Sequence, residues 1–253
     1  MGRAVSETTH RRARLGIPGN RLITTARHPG TDATQPASRG LGWCAYIERV
    51  AATEICAQLT AWSRQYPVPS APAEQNEAAR AAEDEFLAAF AGLVSLDRDQ
   101  VAELVGWKFQ NMAHRRALAM RGISPERWEG RDGEPGAAGI IRKALAASDD
   151  YEALATMANP AGGIYRFGPA MSSAVLAACR PREFAVADWR TLATLRGLGL
   201  VPPGPVGFRL SDWLPFLGAA RMLARQCGLS MRQVDRALWI GAADESLPGR
   251  QAS

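Results

Sequence analysis

Lysine is almost missing from this chain. Lys108 and Lys143 stand against 28 arginines, so any cationic surface is built from planar guanidinium groups, which suit bidentate phosphate contacts. A GC-rich coding sequence produces the same bias. Histidine is scarce as well: His10, His28 and His114 are too few for a histidine-based site, and no metal is expected. The four cysteines, Cys44, Cys56, Cys179 and Cys227, are scattered without ligand spacing and read as buried thiols in a reducing compartment. No run approaches the roughly eighteen consecutive apolar residues of a membrane span, and no signal-peptide apolar region follows the N-terminus. The expectation is a cytoplasmic chain with no membrane partner. Alternation with a period of two is nearly absent, and there is no internal repeat.

What is present is enough for a packed globule: 253 residues, 47% hydrophobic, with seven tryptophans. The net charge of +5 lies in residues 1–42, where seven arginines face only Glu7 and Asp32. That segment has no apolar period and reads as a disordered basic tail, either a functional arm or an unstructured extension. The rest carries 23 basic and 23 acidic residues. A balanced body limits non-specific DNA affinity, which scales with the phosphates neutralised. Charge still clusters locally. Lys108, Arg115, Arg116 and Arg121 form an acid-free stretch, whereas Glu74, Glu77, Glu83, Asp84 and Glu85 make the preceding region acidic.

From Trp43 the pattern is helical, and residues 43–245 read as a single all-α domain followed by a C-terminal tail at 246–253. Tyr46, Ile47, Val50, Ile55, Leu59 and Trp62 recur at helical spacing. The proline-rich stretch 67–72 ends that helix, and a second is expected from Ala73 to Val94. Asp97 with Gln100 makes a capping box and Leu96 with Val101 a hydrophobic staple. The helical region so opened runs to Gly122, with Trp107–Asn111 inside it. Ser124-Pro125 starts again. A glycine-rich loop at 130–139 precedes a helix near Ala138–Ala147. Asp149 or Asp150 opens the next, which breaks at Asn159-Pro160. Further helices are expected near Asp188–Arg196, from Ser211 or Asp212, and from Ser230, whose box partner is Gln233.

The segment from Ile164 to Leu195 is the most informative. Gly168 allows close backbone approach, Pro169 suits a first helical position, and Ala170 to Ala178 are nearly all small. Amides at such a helix start bind phosphate, so the segment suits a nucleic-acid backbone. Phe167-Gly168-Pro169-Ala170-Met171-Ser172 resembles the second half of the hairpin of the helix-hairpin-helix DNA glycosylase superfamily, which includes endonuclease III and the adenine and 8-oxoguanine glycosylases. Val186-Ala187-Asp188 resembles the approach to that family's catalytic aspartate, at fitting spacing from Ala170. The match covers about thirty residues well and the rest loosely.

The resemblance implies two helical halves with the hairpin motif at about 150–180, double-stranded DNA as partner, and Asp188 as the catalytic carboxylate. It implies phosphate contacts from Arg166, Gly168, Ala170, Met171, Ser172 and Ser173, the two serines adding hydroxyl donors. Lys108, Gln110 and Asn111 fall where family members probe or fill the duplex, a base being flipped out for chemistry. An alkali cation at the hairpin is a family feature; the cysteines of its iron–sulfur cluster are absent. Arg166 replaces the first hairpin glycine, which predicts an altered or opened turn. Ala170 stands where bifunctional members carry a nucleophilic lysine, and alanine cannot form a Schiff base. The implied function is base-excision repair by a monofunctional glycosylase. Two other classes stay open: a non-catalytic DNA-binding module, and a helical structural protein in which Asp188 is only a helix cap. Trp107, Phe109, Trp189, Trp213 and Trp239 read as core.

Overall fold

The computed structural model describes residues 41–131 and 133–243, with side chains from residue 53 onward. The two tails expected at 1–42 and 246–253 lie, almost entirely, outside the described residues. Helices dominate: α1 (Leu41–Gln65), α2 (Ala73–Ala88), α3 (Arg98–Lys108), α4 (Ala113–Gly122), α5 (Pro125–Trp128), α6 (Ala137–Ala146), α7 (Asp150–Ala158), α8 (Pro169–Cys179), α9 (Trp189–Gly197), α10 (Trp213–Cys227) and α11 (Met231–Gly241). Between α5 and α6 the glycine-rich loop forms a two-residue hairpin, β1 (Gly130–Arg131) against antiparallel β2 (Glu134–Pro135). The all-α class holds apart from that ribbon. No described helix is long and apolar enough to cross a membrane.

Short-range signals set most helix starts. Asp97 and Gln100 form the capping box of α3, and Ser230 and Gln233 that of α11. Asp149 caps α7 by accepting from the Glu152 amide at 2.7 Å. Two expectations are corrected. Helix α2 ends at Ala88 rather than Val94, because Gly92 turns the chain at φ 81° and its amide donates to the Cys179 carbonyl at 2.8 Å. The helix expected across 107–111 stops at Lys108, and Gln110 and Asn111 sit in an exposed turn before α4.

One continuous core joins the elements. Trp213, fully buried, stacks between Phe184 and Phe216 at centroid distances of 5.9 and 6.1 Å. Its indole N–H donates to the Asp150 carbonyl at 2.7 Å, tying α10 to α7. Thr194 on α9 donates to the Leu238 carbonyl of α11 at 2.7 Å. The helices approach closely there: a Cβ on Gly241 would come within 2.6 Å of the Trp62 ring. Cys56 of α1 and Cys227 of α10 form a disulfide, which overturns the expectation of four thiols. Cys179 is a free, buried thiol whose pKa burial pushes up to about 12.

Candidate nucleic-acid interface and the charged cluster behind it

Ten residues connect α7 to α8, and backbone bonds fix their course. Asn159 organises the exit from α7: its carbonyl accepts from the Gly163 amide at 2.7 Å and its side-chain oxygen from the Ala161 amide at 2.9 Å. The Ile164 amide returns to the Met157 carbonyl at 2.9 Å. Gly163 is sterically required, since a Cβ there would lie 2.4 Å from the Met157 oxygen. Phe167 then donates to the Ile164 carbonyl at 2.9 Å and buries its ring.

Arg166 sits inside this turn at φ 64°. A non-glycine residue in the left-handed region costs about 1–2 kcal/mol. The arginine therefore takes a backbone shape in which glycine is the unstrained residue. Its guanidinium lies 5.0 Å from the Tyr165 ring centroid, and Arg127 of α5 lies 4.4 Å from the same ring. Tyr165, Arg166 and Gly168 are all exposed. A hydrogen bond from Arg166 and the charges of Arg166, Arg127 and Arg121 hold the Tyr165 hydroxyl below its ordinary pKa. A cleft of about 910 Å³ adjoins the turn, its lining mixed in charge, with Arg127 and Arg131 beside Glu126 and Glu134.

Helix α8 starts with Gly168 as its cap and Pro169 at its first position. The Met171 and Ser172 amides both donate to the Gly168 carbonyl, at 3.0 and 3.1 Å. Ala170, at the second helical position, has an amide with no intrahelical partner by geometry. The hydroxyl role expected of Ser172 and Ser173 is corrected, because both side chains are fully buried. Ser173 instead accepts from the Ala187 amide at 2.9 Å and donates to the Ala170 carbonyl at 3.0 Å. That link holds the first turn of α8 against the residue preceding Asp188. Met171 is likewise buried, so only its main chain faces the helix start.

Asp188 caps α9. One carboxylate oxygen accepts from the Arg190 and Thr191 amides at 2.9 and 3.1 Å, and Thr191 completes a box by accepting from the Asp188 amide at 3.0 Å. The other oxygen lies 3.5 Å from Lys108 Nζ, with the side chains 17% and 11% exposed respectively. Lys108 is thus the counter-ion of Asp188 rather than a free surface cation, which corrects its expected place on the duplex. Trp189, the next residue, is 44% exposed and not core, and Arg190 lies 5.2 Å from its ring. Phe109 and Trp213 are buried as expected.

Sequence reasoning missed what lies behind this pair. Arg232, Asp235 and Arg236 share one face of α11 through their i, i+3, i+4 spacing and meet Glu83 and Asp84 of α2. Arg236 Nη2 reaches Glu83 at 2.8 Å and Asp84 at 2.6 Å. Arg232 reaches Glu83 at 2.6 Å and also pairs with Asp235. The Trp107 indole and the Tyr66 hydroxyl donate to Glu83 at 2.9 and 3.1 Å. Burial pushes the Glu83 carboxyl up, but Arg232 and Arg236, with the Arg232 and Trp107 hydrogen bonds, outweigh it and hold it below its usual range. At Asp235 burial wins: its pKa rises to about 6 although Arg232 and Lys108 pull it down. The acidic run at 74–85 and the basic residues of α11 were each visible in the sequence, but nothing local paired them.

Among the described residues no group of acidic, histidine and cysteine side chains is arranged to hold a metal ion. No family model matches the chain, and neither do curated proteins or solved structures.

Proposed function

We propose that the protein binds double-stranded DNA through the 159–168 turn and the start of α8, acting as a helix-hairpin-helix protein of the DNA-glycosylase type. The observation that carries this reading is Arg166, held at φ 64° on the surface in the turn that leads into α8. A backbone phosphate seated there receives a main-chain donor, the positive end of α8 and a guanidinium together. Arg127 and Tyr165 extend the same face. Gln110 and Asn111, exposed after α3, are the residues offered to the duplex in this reading.

Base excision is the second reading, and one arrangement favours it. Ser173 fastens the residue before Asp188 to the first turn of α8, so a phosphate held at the hairpin would bring its sugar towards this carboxylate. Asp188 would stabilise an oxocarbenium-like sugar or activate water. With Ala170 in place of an amine, water rather than a lysine would take the sugar, and the product would be a free base and an intact abasic strand.

The test is a panel of duplexes carrying uracil, oxidised, alkylated or mismatched bases, with abasic sites revealed by alkali and Asp188→Asn as comparison. Asparagine also caps helices, so the variant keeps α9 started. Base release by the wild type that disappears in the variant, with duplex binding retained, supports excision. Binding without release from any duplex leaves the DNA-binding module and removes the enzymatic reading.

A further inference from the structure

Among the described residues Trp189 is the only exposed tryptophan, with 44% of its surface in solvent. It is nevertheless held in place. It is the first residue of α9, directly after the Asp188 cap. The Arg190 guanidinium lies 5.2 Å from its ring centroid and 4.9 Å from that of Trp239, which meets Tyr66 edge to face at 5.6 Å. A braced guanidinium thus backs the exposed indole, and one guanidinium covers only one face of a ring. The carboxylate next to it is paired, Asp188 lying 3.5 Å from Lys108 Nζ, while Arg190 adds a positive charge. Two residues before Trp189, the Ala187 amide is bonded to Ser173, which fastens this segment to the first turn of α8.

We propose that Trp189 is a stacking platform for an unpaired base, so that the preferred target is a duplex continued by a single strand rather than a fully paired duplex. The inference rests on the DNA-binding reading above and adds to it the kind of DNA that is bound. Inside a duplex the faces of each base are covered by its neighbours and only edges reach the grooves, so an indole face finds nothing to stack on. A single-stranded base offers its face. An aromatic ring joined to an arginine is the combination that holds such a base, the ring by stacking and the guanidinium by its charge and cation–π contact. Stacking of this kind tolerates any sequence, because every base has a π-face. The phosphate grip at the start of α8 and the ring of Trp189 then belong to two elements fastened to each other.

Fluorescence anisotropy with the full chain and three labelled DNAs tests the assignment: a blunt duplex, the same duplex with a short single-stranded extension of adenines, and one with an equally long abasic extension. The two extensions carry the same phosphates, so their difference isolates the bases. The wild type should bind the adenine extension about five- to a hundredfold tighter than the abasic one, the range of one stacked base. Trp189→Ala should remove that difference and Trp189→Phe should keep most of it, with binding of the blunt duplex the same in all three proteins. Equal affinity of the wild type for the two extensions would overturn the proposal, and that comparison needs no variant to fold. An adenine preference undiminished in Trp189→Ala would overturn it too. Binding of the blunt duplex without such a preference leaves the DNA-binding reading standing and removes this inference alone; binding of none of the three DNAs removes both.

Discussion

Replacing Arg236 with methionine should damage this protein more than any single change on the exposed surface around Arg166. The side chain is 4% exposed and is held at Glu83, Asp84 and the Arg80 carbonyl. Removing one partner of a buried ion pair costs about 3–5 kcal/mol, because the other charge is left uncompensated. Here the loss belongs at the lower end. Glu83 keeps Arg232 at 2.6 Å and the Trp107 indole at 2.9 Å, and Asp84, with its side chain 56% exposed, can turn to water. Methionine also retains much of the packing volume. The expected loss is therefore about 3 kcal/mol, which lowers the melting temperature of a domain this size by about 6–12 °C. Thermal denaturation followed by circular dichroism, with a urea titration to check the slope, measures it. A shift below about 2 °C would show that Arg236 is solvated in solution and that the cluster does not hold α11 to α2.

Three further outcomes follow from the same packing. Thiol titration of the unreduced, denatured chain should find at most two of the four thiols, and reduction of Cys56–Cys227, which closes a 171-residue separation, should destabilise by up to about 5 kcal/mol on the chain-entropy estimate; four titratable thiols without reductant would remove the bridge. Asp235 favours its neutral form in the fold, so its contribution to stability is present at low pH and declines as pH rises from its unfolded value towards about 6. Between pH 5 and 7.5 the wild type should lose about 1.4 kcal/mol relative to Asp235→Asn, read as a difference in melting temperatures; parallel pH profiles would refute the shift. Glu83 has the opposite sign, its stabilisation being lost on acidification below the usual carboxylate range. Arg166→Gly should leave stability within about 1 kcal/mol of wild type, since relief of the left-handed arginine offsets the greater freedom of the unfolded glycine; a loss beyond about 2 kcal/mol would mean the side chain, not the turn, holds the loop.

The parts of this structure legible in the sequence are those decided within a turn of helix. The boxes at Asp97–Gln100 and Ser230–Gln233, the Asp149 cap and the Asp188 helix start all depend on residues three apart. Where the early end of α2 is decided by a bond from Gly92 to Cys179, no local pattern carries the information. Nor does one reveal that Glu83 meets Arg236 across 153 residues, or that Cys56 meets Cys227. At the candidate site the sequence marked Asp188, Arg166 and Lys108. What the sequence did not carry is their local setting: Arg166 takes a left-handed backbone conformation beside the Tyr165 ring, and Lys108 pairs with Asp188. The serines of α8 look like donors in a list of residues, but the helix rotates both hydroxyls into the core. Trp189 shows the converse, an aromatic assigned to the core that the cap at Asp188 leaves exposed.

Duplex binding as a function of salt tests the central claim most directly, comparing wild type with Arg166→Ala. If the arginine contacts a phosphate, the variant binds more weakly and its slope of log affinity against log salt is shallower by about 0.9. Between 50 and 200 mM salt that is about three- to fourfold less loss of affinity for the variant than for the wild type. Identical slopes, or a wild type that does not bind duplex DNA at low salt, would contradict the account.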